Sequence, residues 1–106
     1  MKNTDQIVND MVSQMGGNIF FMMTGAKPQY KKEEENGDVT IMFKLKRNRS
    51  KANYYSITFN KGLDLYTVEY IKLTTSARNI VKKIEGVYND MLRPIFEETT
   101  GMYLSL

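Results

Sequence analysis

The stretch "KLKRNRSKANYYSITFNK", residues 44–61, carries six lysines and arginines and no acid, in a chain with fifteen basic residues against twelve acidic ones. Lys44 and Lys46 fall on the polar face of an alternating strand. Arg47, Arg49 and Lys51 crowd the turn that follows, and Tyr54 shares the polar face of the next strand with Ser56 and Thr58. Cationic side chains beside an aromatic ring supply phosphate donors and a stacking surface, the combination that single-stranded nucleic-acid binding uses. A structural reading competes with it, because a lysine-rich hairpin tip also shields a sheet edge and favours solubility.

Other chemistries are scarce. Histidine is absent, which removes the commonest general base near neutral pH, and the absence of cysteine excludes disulfides, thiolate zinc sites and cysteine nucleophiles. Asp64 and Glu69 stand five apart on one expected strand, hence on opposite faces, and do not converge as a carboxylate pair. Glu33, Glu34 and Glu35 are consecutive in a polar segment and read as solvated side chains, not as preformed metal ligands. Gly16-Gly17 follows a helical pattern and leads into an apolar run, the reverse of the strand-to-helix order that aims amides at a phosphate, so it reads as a helix end. Met11, Met15 and Met91 sit on apolar helix faces and read as core fillers. The expectation is a non-enzymatic protein with no cofactor and no metal.

The elements that position the basic stretch follow from apolar spacing. Ile7, Val8, Met11, Val12 and Met15 recur at helical steps behind a Thr4 cap, which predicts a short N-terminal helix. "NIFFMMTG", residues 18–25, predicts a buried strand, and "AKPQYKKEEENGD" reads as a loop on composition. Val39, Ile41, Phe43 and Leu45 alternate with polar residues, as do Tyr55, Ile57 and Phe59. Two strands therefore form a hairpin whose tip, "RNRSKA", is basic. "LDLYTVEYIKL" predicts a further strand whose inward face is open between Tyr66, Val68 and Tyr70 on one side and Leu63, Leu65 and Ile71 on the other. From Ser76 onward Ile80, Val81, Ile84, Val87, Tyr88, Met91, Leu92 and Ile95 recur at three and four residues. That spacing predicts a long C-terminal helix, kinked near Asp90 by Pro94 and closed by Gly101, with the apolar tail "MYLSL" docked.

At 106 residues, with 42% apolar and 25% charged composition, the chain fits one domain. The expected fold is α+β: an N-terminal helix, a four-stranded antiparallel sheet and a long C-terminal helix packed on one sheet face. Open sheet edges make a homodimer, joined along an edge or through the helix, an expectation as well. No stretch has the length of a membrane span, and the N-terminus lacks the apolar run of a signal peptide, so a cytoplasmic protein without membrane contact is expected.

"MGGNIFFMMTGAK", "FKLKRNRSKANYYSITFN", "GLDLYTVEY" and "GVYNDMLRPIFEETTGMYLSL" together resemble a family of small proteins encoded by tailed bacteriophages and prophages. The resemblance covers most of the chain after residue 15, with "PQYKKEEENGD" longer than the family's usual segment. It implies a phage gene product made in a bacterial cytoplasm and carries no residue role with it. Short phage proteins are mostly binders, by analogy only. Two partners are therefore expected: nucleic acid, preferably single-stranded, laid along the polar sheet face and the basic tip; or a host protein, such as a defence nuclease, which the chain would inhibit.

Overall fold

The computed structural model describes residues 4–15 and 27–102. Helix α1 (Thr4–Gln14) is followed by strands β1 (Lys27–Glu33), β2 (Val39–Lys44), β3 (Tyr54–Asn60), β4 (Leu65–Leu73) and β5 (Arg78–Val87). A single 3-10 turn (Asn89–Met91) then leads into helix α2 (Leu92–Thr100). The strands form one antiparallel meander in chain order, β1 to β5, with each strand paired to the next. The class is α+β, with the N-terminal helix, the antiparallel sheet and the C-terminal helix in the order expected.

The β2–β3 hairpin follows the alternation of the sequence. Val39, Ile41 and Phe43 are buried, and they pair with Phe59, Ile57 and Tyr55. Register then settles the face of β4: Tyr66, Val68 and Tyr70 lie opposite Phe59, Ile57 and Tyr55 and are buried with them. Tyr55 is the meeting point. Its ring stacks near Phe43 at 6.3 Å and packs against Tyr70 at 5.1 Å. It also receives Phe96 of α2 edge-on at 4.8 Å, and its hydroxyl donates to the Met15 sulfur at 3.5 Å. Ile7 and Met11 of α1, with Met15 just after it, join Leu92 and Phe96 of α2 in this core.

Two expectations about the flanks fail. Residues 78–87 form strand β5, not the first half of a helix. The reason lies in two register shifts against β4, at Tyr66/Val68 and at Tyr70/Ile71. Ile84 pairs with Val68 and Val87 with Tyr66, so residues three apart face one core because the bulge inserts a residue between them. Gly86, at φ +65°, supplies the left-handed backbone there. Apolar steps of three thus imitate a helix while the β-branched Ile80, Val81, Ile84 and Val87 favour a strand. Ser76 lies in a tight turn in which the Thr74 amide donates to the Ala77 carbonyl at 2.9 Å, and it caps no helix.

The polar segment 27–33 is likewise a strand, β1, so the sheet has five described strands where four were expected. Its proline and lysines suit a strand at the end of the described sheet, where fewer backbone donors are needed than in a central strand. The expected strand 18–25 lies outside the described residues, as does the tail beyond Met102; Met102 itself packs against the core. Pro94 is the third residue of α2, where the missing N–H costs no intrahelical bond, so it begins a helix and does not kink one. Met91, expected inside, is exposed, whereas Gly101 ends α2 in the left-handed conformation at φ +73°, as the sequence predicts. No helix among the described residues is long and apolar enough to cross a membrane.

Because Phe96 bridges Tyr55 and Tyr70, Phe96→Ala is expected to lower unfolding stability by about 3–5 kcal/mol in urea titration, with an unchanged slope. Burial raises the Tyr55 phenol well above its usual range, helped by the neighbouring Tyr70. Burial likewise raises Tyr70, with Thr99 offsetting part of the effect although the Tyr70 hydroxyl completes no hydrogen bond. Both phenols are therefore harder to ionise in the folded chain than in the unfolded one. Their contribution is fully present below about pH 10 and declines above it, where the unfolded chain ionises first, by about 1.4 kcal/mol per pH unit for each tyrosine. Melting temperatures followed from pH 9 upward, together with phenolate absorbance, will show the last tyrosines ionising only as the fold is lost.

Candidate nucleic-acid interface

The β2–β3 connection, residues 45–53, is a built loop. Leu45 and Ala52 are buried at its base, and the Leu45 amide donates to the Asn53 carbonyl at 2.8 Å. Asn48 organises the tip from within. Its amide nitrogen donates to the carbonyls of Lys46 at 2.7 Å and Ala52 at 2.9 Å, and its side-chain oxygen accepts from the Ser50 amide at 3.0 Å and from the Ser50 hydroxyl. Both donors and both acceptors of this amide are thus used. The Lys51 amide donates to the Asn48 carbonyl at 3.1 Å, and Lys51 adopts φ +66°, a left-handed conformation that a lysine holds only when its surroundings impose it.

Two fastenings tie this tip to the body. Asn53 extends the β3–β4 ladder: its amide donates to the Ile71 carbonyl at 2.9 Å, its side-chain nitrogen donates to the Leu73 carbonyl, and its side-chain oxygen accepts from the Leu73 amide, both at 2.8 Å. Arg49 reaches the C-terminus of α2. Its amide donates to the Thr100 carbonyl at 3.0 Å and its guanidinium to the Glu98 carbonyl at 2.5 Å. The last carbonyls of a helix lack intrahelical donors and carry partial negative charge, so a guanidinium there is doubly favoured.

Between the tip and β4 lies a concavity of about 620 Å³ whose wall includes Lys46, Arg47, Arg49, Lys51 and Lys72 and, among the described residues, no carboxylate. Four of the six residues expected to bind nucleic acid therefore converge. Lys44 and Tyr54 do not line it: they face each other as cross-strand partners on the other side of the sheet, where Lys44 is exposed and Tyr54 half-buried. That side is less basic than expected, with Ser56 buried, Thr40 and Thr58 hydrogen-bonded to each other at 2.8 Å, and Glu69 near its middle opposite Lys83. A phosphate backbone laid along it would meet a carboxylate, whereas the tip gathers its cations without one among the described residues.

Lys72 was missed because it stands outside the basic run. The signal that finds it is register: Tyr54 pairs with Ile71, so the next residue of β4, the exposed Lys72, falls beside the loop that enters β3. Arg49 has a double role that composition could not reveal, since one of its five N–H donors is committed to α2. Among the described residues no three acidic side chains gather as a metal site. No family model, no curated protein and no solved structure matches this chain.

If the Asn48 network holds the cations in place, Asn48→Ala will cost about 2 kcal/mol, from the loss of several partly exposed hydrogen bonds. Hydrogen exchange will quicken first at the Ser50 and Lys51 amides. Unchanged protection at those amides would show that the tip is ordered by something else.

Proposed function

We propose that this chain is a non-enzymatic nucleic-acid-binding protein of tailed-phage origin that grips a phosphate backbone, preferably of a single strand, at the β2–β3 tip. One observation carries the reading: five cations from two elements line one pre-ordered concavity that holds no carboxylate among its described residues. Bringing like charges together is unfavourable in the free protein and is relieved when phosphate enters and counterions leave. The fastenings to β4 and α2 keep the loop from relaxing, which reduces the ordering cost of binding. Lys46, Arg47, Lys51 and Lys72 act as phosphate contacts, and Arg49 contributes with the donors that α2 leaves unused. Lys44 and Tyr54 engage only a strand that turns around the end of the sheet, with Tyr54 as the stacking surface.

A second reading has its own support. Strand β5 is ten residues long, lies at the end of the described sheet, and leaves Ile80 53% and Val81 47% exposed. An extended segment of a host protein could add there as a further strand, the recognition mode that sheet edges serve. A second copy of the chain is less suited to that edge, because antiparallel pairing of two β5 strands gathers Arg78, Lys82 and Lys83 from both. Retrieval of a host protein from nuclease-treated lysate, lost when Val81 is changed to Lys, would favour this reading over the first.

The leading reading is tested by salt titration. Replacing Lys46, Arg47 and Lys72 together by alanine is expected to weaken binding to all oligonucleotide sequences alike, since phosphate contacts carry no base information. It should also reduce the slope of log affinity against log salt on a single strand by about 2, at about 0.7 per lost contact. Tyr54→Ala is expected to cost about 1–3 kcal/mol of binding and to leave that slope intact. A triple variant that keeps both affinity and slope returns the basic run to the role of an edge guard.

A further inference from the structure

At the end of β3 and β4 remote from the basic tip, the β3–β4 turn and the link from β5 into the 3-10 turn enclose a second concavity of about 320 Å³. That is roughly the liquid volume of ten waters. Three aromatic rings, Phe59, Tyr66 and Tyr88, line it together with Leu63, and among the described residues the one charged side chain on its wall is Asp64. Phe59 and Tyr66 meet at 5.3 Å with their planes tilted by 52°, forming a corner. Tyr88 completes the wall from the other side. It is 61% exposed, and Leu63 is 71% exposed, beside the half-buried Phe59 and the buried Tyr66. Two large apolar side chains left in the open at the mouth of one hollow mark a surface suited to a ligand.

Asp64 gives the hollow its sign. Its backbone is held in the left-handed region at φ +55° by a turn in which the amides of Leu63 and Asp64 both donate to the Asn60 carbonyl, at 3.1 and 2.8 Å. The carboxylate makes no hydrogen bond or ion pair with any described residue. We infer that this hollow binds an organic cation, an alkylated ammonium or guanidinium head group. Aromatic faces carry the negative lobe of the ring quadrupole, and a carboxylate supplies the counter-charge. An anion would be repelled, while a neutral apolar group would strip water from Asp64 and return nothing. The arginine side chain of a partner protein and a free quaternary ammonium share this chemistry.

The test uses the full chain and nuclear magnetic resonance. Titration with tetramethylammonium chloride and with methylguanidinium chloride, against sodium chloride at equal ionic strength, is expected to shift the Tyr88 ring and the Asp64 amide saturably. The remote Asn48 and Ser50 signals should stay still. Asp64→Asn keeps a side chain that tolerates the left-handed backbone, and Tyr88→Leu alters an exposed position, so both variants are expected to melt like the parent. Each should weaken cation binding about fivefold. A stronger response to methylguanidinium assigns an arginine-bearing partner, and a stronger response to tetramethylammonium assigns a free quaternary ammonium. Three results would overturn the site: no saturable shift, an equal response to the neutral isostere tert-butanol, or undiminished binding by Asp64→Asn. All three are independent of any nucleic-acid binding at the tip.

Discussion

The burial of one ring, that of Tyr55, sets the terms for most of this structure. Phe43 from β2, Tyr70 from β4, Phe96 from α2 and Met15, which directly follows α1, all meet it, so three strands, a helix and the end of another share a single contact point. A large aromatic side chain contributes several kcal/mol by leaving water, and edge-on and offset pairs add to that. The same ring fixes register. If β3 slipped by one residue, Tyr55 would move to the other face and Ser56 would replace it beneath α2. Position along β3 then decides where residues 45–53 emerge, and hence where their cations stand.

The two ends of the sheet have diverged around that fixed centre. At one end a loop saturated with internal hydrogen bonds holds lysines and arginines against β4. At the other, a short turn and the exit of β5 leave aromatic rings and a carboxylate around a hollow. Each end is anchored by a few core residues, Leu45 and Ala52 at one and Tyr66 at the other, while its exposed side chains can serve recognition in a way that Tyr55 and Ile57 cannot. The flank formed by β5 is intermediate: its bulges draw Ile84 and Val87 inward while Ile80 and Val81 stay outside.

How much of this the sequence disclosed depended on whether a local rule or a distant partner decided each element. The β2–β3 hairpin was legible because strict alternation over Val39–Phe43 and Tyr55–Phe59 needs no knowledge of neighbours. The α+β class followed from it. Strand β5 was not legible, because two inserted residues, one beside the left-handed Gly86, turned a period of two into steps of three. Strand β1 was hidden by polarity, since among the described strands its place is given by β2. Of the site, Lys46, Arg47, Arg49 and Lys51 were visible as an acid-free run, whereas Lys72 and the separation of Lys44 and Tyr54 depended on cross-strand register.

The bond between Arg49 and the end of α2 makes the tip and the C-terminal helix parts of one equilibrium. A guanidinium shared between the Glu98 carbonyl and an anion held as proposed above would couple the two sites reciprocally: whatever factor the anion changed in the docking of α2, docked α2 would have to change in the affinity for the anion. An anion that drew Arg49 away would loosen the helix end and so the cover over Tyr70, whereas one that left the contact intact would lock both. Under that proposal the C-terminal helix is an effector of the loop, built from the same chain and present at fixed concentration, and the sign of its effect is set by which oxygen Arg49 prefers.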